Sequence, residues 1–466
     1  MVFSSIIFLY CFLPIVFITY FLLPNKFRNF VLLISSLFFY FCGEPRYVVL
    51  LIFSGIFNYY IGKVIEKKED AKQRKLLLVF SIIVNFGILF YFKYFNFFLD
   101  NLRIIFPSLS FSISVIMPIG ISFFTFQAAS YVIDIYRREV KSADNVFSFL
   151  TYLSLFPQLI AGPIVRYETV QEELKERTCN FSLFSSGVKR FIIGLSKKVL
   201  LANVLGSFSF ILFSLENMSV VSYWGKALSD CLQLYLDFSG YSDMAIGLGL
   251  MFGFKFLENF NYPLISTSIT EFWRRWHISL SSWFRDYVYI PLGGSRVSSF
   301  RRYFNILVVW MATGFWHGAD WNFILWGLYF ALFLIIEKRF YLSFLEKHKL
   351  IGFIYTFLLV VVGFVIFNQT SISNIIVFLK SMFGLNNIPF INLETWYYVK
   401  NYFGVFIFSM IFSTPIASIL VSKIKKSNKF GKIFNVVEPV IYILLLILCT
   451  AFIIDESFQP FLYFRF

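Results

Sequence analysis

The chain has 466 residues, of which 58% are hydrophobic, 22% aromatic and only 14% charged, with a mean hydropathy of +0.74. These proportions exclude a soluble globular protein and require a polytopic, all-α membrane protein. The net charge of +15 is not read as nucleic-acid binding, because the basic residues cluster between apolar runs as cytoplasmic loops do. Cys11, Cys42, Cys179, Cys231 and Cys449 are scattered, with no CxxC pair and no histidine at ligand spacing. Neither a metal site nor a disulfide framework is therefore expected.

Apolar spans open the chain at residues 2–23, 30–42, 47–61 and 76–94. The first has no basic residue before its apolar run and no small-residue cleavage site, so it reads as a retained span. The loop KVIEKKEDAKQRK, residues 63–75, belongs in the cytoplasm, which places Lys26 and Arg28 there and the N-terminus outside. A span at 115–136 ends at Arg137, Arg138 and Lys141 on the same inner side. The stretch TYLSLFPQLIAGPIV, residues 151–165, is interrupted by Pro157, Gly162 and Pro163. It is expected to be broken or re-entrant beside a cavity, with an ordinary proline-kinked span as the alternative.

A span at 201–214 precedes YLDFSGYSDMAIGLGLMFGF, residues 235–254. Asp237 and Asp243 are the acids of this apolar tract and, with Tyr241, are candidates to support a site. Equally, the acids could pair internally with Arg or Lys and only buttress the fold. No apolar run within 258–303 is long enough to cross, so this segment is expected at the cytoplasmic side.

Inside it lies FWRRWHISLSSWFRDYVYIPLGG, residues 272–294. Read as one helix, Trp273, Trp276, His277, Leu280, Trp283 and Phe284 share a face, with Arg274, Arg275, Ser282, Arg285 and Asp286 around the other. An imidazole on an apolar face backed by arginines suits a reaction centre for an anionic partner, although tryptophan and arginine also anchor helices at a membrane interface. The chain then enters the membrane at 303–316, reverses at HGAD and returns at 321–336. Arms of roughly 14 to 16 residues reach about 20–24 Å, short of a hydrocarbon core of about 30 Å. His317 is thus expected on the floor of a depression open to the outside. Spans at 351–367, 403–421 and 440–453 bring the count to about ten or eleven. The chain reads as one domain, residues 1–466, with N-terminal spans (1–135), a catalytic core (136–340) and C-terminal spans (341–466).

Five stretches carry a family resemblance: FPQLIAGPIVR from Phe156, LDFSGYSDMAIGLG from Leu236, the 272–294 segment, GFWHGADWNFILWG from Gly314 and PFLYFRF from Pro460. Together they resemble the membrane-bound O-acyltransferase (MBOAT) superfamily, most closely its alginate O-acetyltransferase-like branch. The resemblance implies acyl transfer to a hydroxyl, with His317 of the WHG motif as principal catalytic residue and His277 as its partner. It further implies a donor tunnel from the cytoplasm, an inner-membrane location in a bacterium, and a separate extracytoplasmic acetyltransferase partner.

The chemistry follows from the residue types. A sugar hydroxyl is a poor nucleophile, and an imidazole of pKa about 6.5 can take its proton as it attacks a thioester, typically contributing roughly 10²–10⁴-fold. His277 or the indole N–H of Trp316 is a candidate to polarise the carbonyl. Arg274, Arg275 and Arg285, beside Trp273, are candidates to grip the phosphates of acetyl-CoA, in competition with lipid headgroups. No bound cofactor is expected. As acceptor, the resemblance implies an extracytoplasmic polysaccharide such as alginate, or the partner protein that acetylates it. D-alanyl transfer to teichoic acid shares the chemistry, and a glycan transporter is the non-enzymatic alternative.

Overall fold

The computed structural model describes residues 1–107 and 114–455, and the PFLYFRF stretch lies outside them. The protein is helical, with no β-strand among the described residues, and its chain forms two compact units. One comprises Met1–Phe191 and Met244–Leu257; the other comprises Ile192–Asp243 and Glu258–Phe466.

In the first unit, the helix Ile121–Arg137 is buried along most of its length and packs against the helices Val48–Lys67 and Ala71–Leu89. It begins later than hydropathy suggests, because Pro118 and a left-handed Gly120 hold the preceding chain out of the helix. Between Val48–Lys67 and Ala71–Leu89, Asn58 and Asn85 exchange amide hydrogen bonds of 2.9 and 2.8 Å. Such a reciprocal pair leaves neither amide facing hydrocarbon unsatisfied. The 151–165 stretch is broken as expected. Helices Val146–Ser154 and Phe156–Leu159 meet at a non-helical Leu155, and the irregular backbone that follows is buried in protein.

In the second unit, helices Ser299–His317 and Trp321–Ile336 form the expected antiparallel hairpin. Its closeness depends on two glycines. A Cβ on Gly314 would overlap the carbonyl of Phe323, and one on Gly327 would overlap the carbonyl of Trp310. The turn is set by Asp320, whose carboxylate accepts the Trp321 N–H at 2.7 Å and caps the second helix. The intramembrane acids have lysine partners: Asp237 meets Lys198 at 2.6 Å and Asp243 meets Lys197 at 2.7 Å.

Among the described residues, five helices are long and apolar enough to cross a membrane, or six if one bent pair counts as a single span. Most other apolar runs form shorter helices, hairpin arms or broken pieces, and the 235–254 tract lies largely in the 32-residue helix Val220–Met251. The run at 403–421 is a case where one continuous span was expected and two helices occur. Leu393–Phe412 and Ile416–Lys426 are bent by 66° at Pro415, where a proline cannot continue the first helix.

Candidate active site

The FWRRWH segment is not one helix. Ile269–Arg275 ends, Trp276 is extended, and His277 takes a left-handed conformation at φ 43° before Ile278–Phe284 begins. A non-glycine residue there costs of order 1–3 kcal/mol, so the surroundings must enforce it. They do so through residues 259–261. The Asn261 N–H donates to the Arg275 carbonyl and the Ile278 N–H donates to the Asn259 carbonyl, both at 2.9 Å, clamping the break from either side. Arg275 belongs to this clamp, pairing with Glu271 at 2.9 Å and donating to the Asn261 carbonyl at 3.1 Å. At the far end, the Glu337 carboxylate accepts the backbone N–H groups of Ile269 and Thr270, at 2.6 and 3.0 Å. The last residues of the hairpin thereby cap the first helix of the FWRRWH segment.

His277 is 1% exposed, and its Nδ1 lies 3.1 Å from Asn259 Oδ1. The Asn259 amide is oriented by its other bonds: its Oδ1 accepts from the N–H and the hydroxyl of Ser279, and its Nδ2 donates to Ser242. Because Oδ1 can only accept, His277 carries its proton on Nδ1 and keeps a lone pair on Nε2. Burial pushes the imidazole down to about 3, so it is neutral at physiological pH. In this tautomer His277 accepts a hydrogen bond at Nε2 and cannot donate one there.

His317 ends the first hairpin helix and is 4% exposed. Trp316 touches both histidines, with its ring centroid 5.9 Å from that of His277 and 5.0 Å from that of His317. Trp326 and Phe367 close around His317 at 5.0 and 5.5 Å. Residues forty positions apart in the sequence therefore meet on one indole.

Two cavities flank this centre. One, of about 230 Å³, is lined by His277, Trp273, Arg274, Arg285 and Lys338 among others. Its wall is aromatic and aliphatic, and Arg274 and Arg285 are exposed. Arg285 is held by Asp286 at 2.6 Å. Desolvation, and then the positive charges of Arg274 and Arg302, hold the Lys338 ammonium below its ordinary value. Crowded cations at an apolar cavity suit an anionic group attached to an apolar arm. The other cavity, of about 660 Å³, opens at the hairpin turn, where Phe323 and Phe367 line it. Phe367 is the same ring that packs on His317.

The expected residues thus divide. His277, Trp273, Arg274 and Arg285 line the first cavity, and Trp316 and His317 lie just behind them. Arg275 supports the backbone break, Asp237 and Asp243 hold lysines, and Tyr241 is buried in the Val220–Met251 helix away from either lining. Sequence reading missed Asn259, Ser279, Ser242 and Lys338. Only Lys338 left a signal, as a cation at the end of the second hairpin arm.

Residues 108–379, more than half the chain, match the family described as MBOAT, membrane-bound O-acyltransferase. The chain belongs to the membrane-bound O-acyltransferase family. It is 44% identical to the probable alginate O-acetylase AlgI of Pseudomonas aeruginosa, over 80% of this chain and 73% of that one. It is 38% identical to the AlgI of Pseudomonas putida over the full length of both. It is also 34% identical to the peptidoglycan O-acetyltransferase of Helicobacter pylori, over 84% of this chain and 82% of that protein. This MBOAT protein is a multi-pass membrane O-acyltransferase.

Proposed function

We propose that the protein transfers an acetyl group from acetyl-CoA, bound from the cytoplasm of a bacterium, to or toward a hydroxyl of an extracytoplasmic polysaccharide. The observation that carries this reading is Trp316, whose ring joins His277 in the cation-rimmed cavity to His317 beside the cavity at the hairpin turn. Arg274, Arg285 and Lys338 hold the donor's phosphates, with the acyl arm reaching inward along the apolar wall. The Trp316 indole, a donor only, polarises the thioester carbonyl. His317 takes the hydroxyl proton as the oxygen attacks. The C–S bond breaks, and the same proton passes from His317 to the departing thiolate, giving the acetyl ester and free CoA thiol. His277 presents Nε2 as an acceptor that orders the donor in its cavity.

The experiment is acetyl transfer from labelled acetyl-CoA in membranes. His317→Ala is expected to lower transfer by at least about 10²-fold while the protein remains folded, and retained activity would reject the base assignment. Arg285→Ala is expected to raise the donor concentration required by about tenfold with little change at saturation; an unchanged requirement would reject the phosphate grip. Transfer that needs an acyl-carrier protein instead of CoA would favour the D-alanyl type of donor.

A further inference from the structure

The cavity at the hairpin turn has a wall chemistry that selects among acceptors. Asn322, Asn368, Gln369 and Gln233 bring amides to it, and Phe323 and Phe367 bring aromatic rings packed edge to face, with centroids 5.0 Å apart. Amides donate to and accept from hydroxyls at will, and ring faces cover the C–H faces of a pyranose. This is a wall for a polyol.

Its charges are lopsided. Lys226 is the one cation of the lining, and it is already committed, to Asp230 at 2.9 Å and to Ser209 at 3.1 Å. Ser209 also donates to Asp230. Asp320 adds a second carboxylate, bonded to the Trp321 N–H and balanced by no cation of the lining. A polymer with a carboxylate on every sugar would meet excess negative charge here. An uncharged sugar would not.

A third observation points to a ligand. Asn322 is only 5% exposed and donates from Nδ2 to the Phe367 carbonyl at 2.8 Å, while its Oδ1 meets no donor among the described residues. A buried amide oxygen without a donor is costly, and a ligand hydroxyl would remove the cost. Phe367, to which Asn322 is tied, packs on the His317 ring.

We propose that this cavity is the acceptor site and that it takes an uncharged, hydroxyl-bearing sugar, such as an N-acetylhexosamine, in preference to a uronate. One hydroxyl donates to Asn322 Oδ1, and a neighbouring hydroxyl is offered to His317. The proposal rests on the acyl-transfer reading above and narrows it to a substrate class.

The test is binding by the full-length protein in lipid nanodiscs with no acyl donor present, so it does not depend on transfer. The probes are a neutral N-acetylglucosamine trimer and a mannuronate trimer, followed by saturation-transfer NMR and tryptophan fluorescence. The neutral trimer is expected to bind at least about tenfold more tightly. Asn322→Leu and Gln369→Ala should each weaken it about tenfold, Gln369→Ala carrying the result if Asn322→Leu lowers the melting temperature. Asp320→Asn, which keeps the helix cap, should narrow the gap between the two probes. Mannuronate binding as tight as the neutral trimer would overturn the proposal. So would no binding of the neutral trimer. The acyl-transfer reading would survive all of these results, since it stands or falls with His317→Ala.

Discussion

His277 shows how much of the site is decided by a residue far away in the sequence. Its ring could belong to a base, a donor or a cation, and the Asn259 side-chain oxygen Oδ1 at 3.1 Å selects the neutral Nδ1–H tautomer. Asn259→Ala should therefore lower kcat by about 10²-fold, through a misplaced ring, with little change in donor KM. Asn259→Asp keeps the acceptor and adds a negative charge, which favours the imidazolium and raises the His277 pKa. Most activity should return, but the acid limb of the pH–rate profile should move to higher pH, because a neutral Nε2 is lost as pH falls through the raised value. An unshifted profile would remove Asn259 from the site. This partner was not legible in the sequence. Asn259 sits in ENFNYP with no spacing that links it to a histidine eighteen residues on, and the left-handed turn falls on a residue that is neither glycine nor proline.

At the scale of elements, the hairpin was the most legible feature. Its apolar arms, the HGAD reversal and the glycines that let the arms touch all appear in order along the chain. The FWRRWH helix was misread because its apolar residues keep helical spacing across a break made by the clamp from residues 259–261. Asp237 and Asp243 were visible as unusual, with pairing to Arg or Lys an open alternative, but no spacing singled out Lys197 and Lys198 as the partners. A prediction follows from the Asp237–Lys198 pair, whose side chains are 2% and 5% exposed. Removing one partner by Asp237→Leu should cost about 3–5 kcal/mol of stability, because it leaves a buried charge uncompensated. Combining it with Lys198→Met should restore both the melting temperature and acetyl transfer. Failure of the double variant to regain transfer, despite normal melting, would give Asp237 a part in the chemistry.

For the whole molecule, hydropathy set the class well, but the number of crossings poorly. Proline-bent pairs such as the one at Pro415, and buried short helices such as Ile121–Arg137, blur the boundary between a span and an internal piece. The topology itself predicts an outward-facing hairpin turn. With the exposed Cys11 and Cys42 replaced by alanine, Ala319→Cys should react slowly with an impermeant thiol reagent added outside cells. Rapid labelling from the cytoplasmic side alone would invert the arrangement.

The Glu337 carboxylate, planted on the amide groups of Ile269 and Thr270, has a mechanical meaning as well. It works as a tie-rod: one end is anchored beyond the arm that returns from His317, the other in the short helix that leads into His277. Slackening it would tilt both rings together and spread the mouth beside Lys338. Heat inactivation should accordingly be abrupt, with catalysis failing in one step while the bulk of the helical signal is still intact.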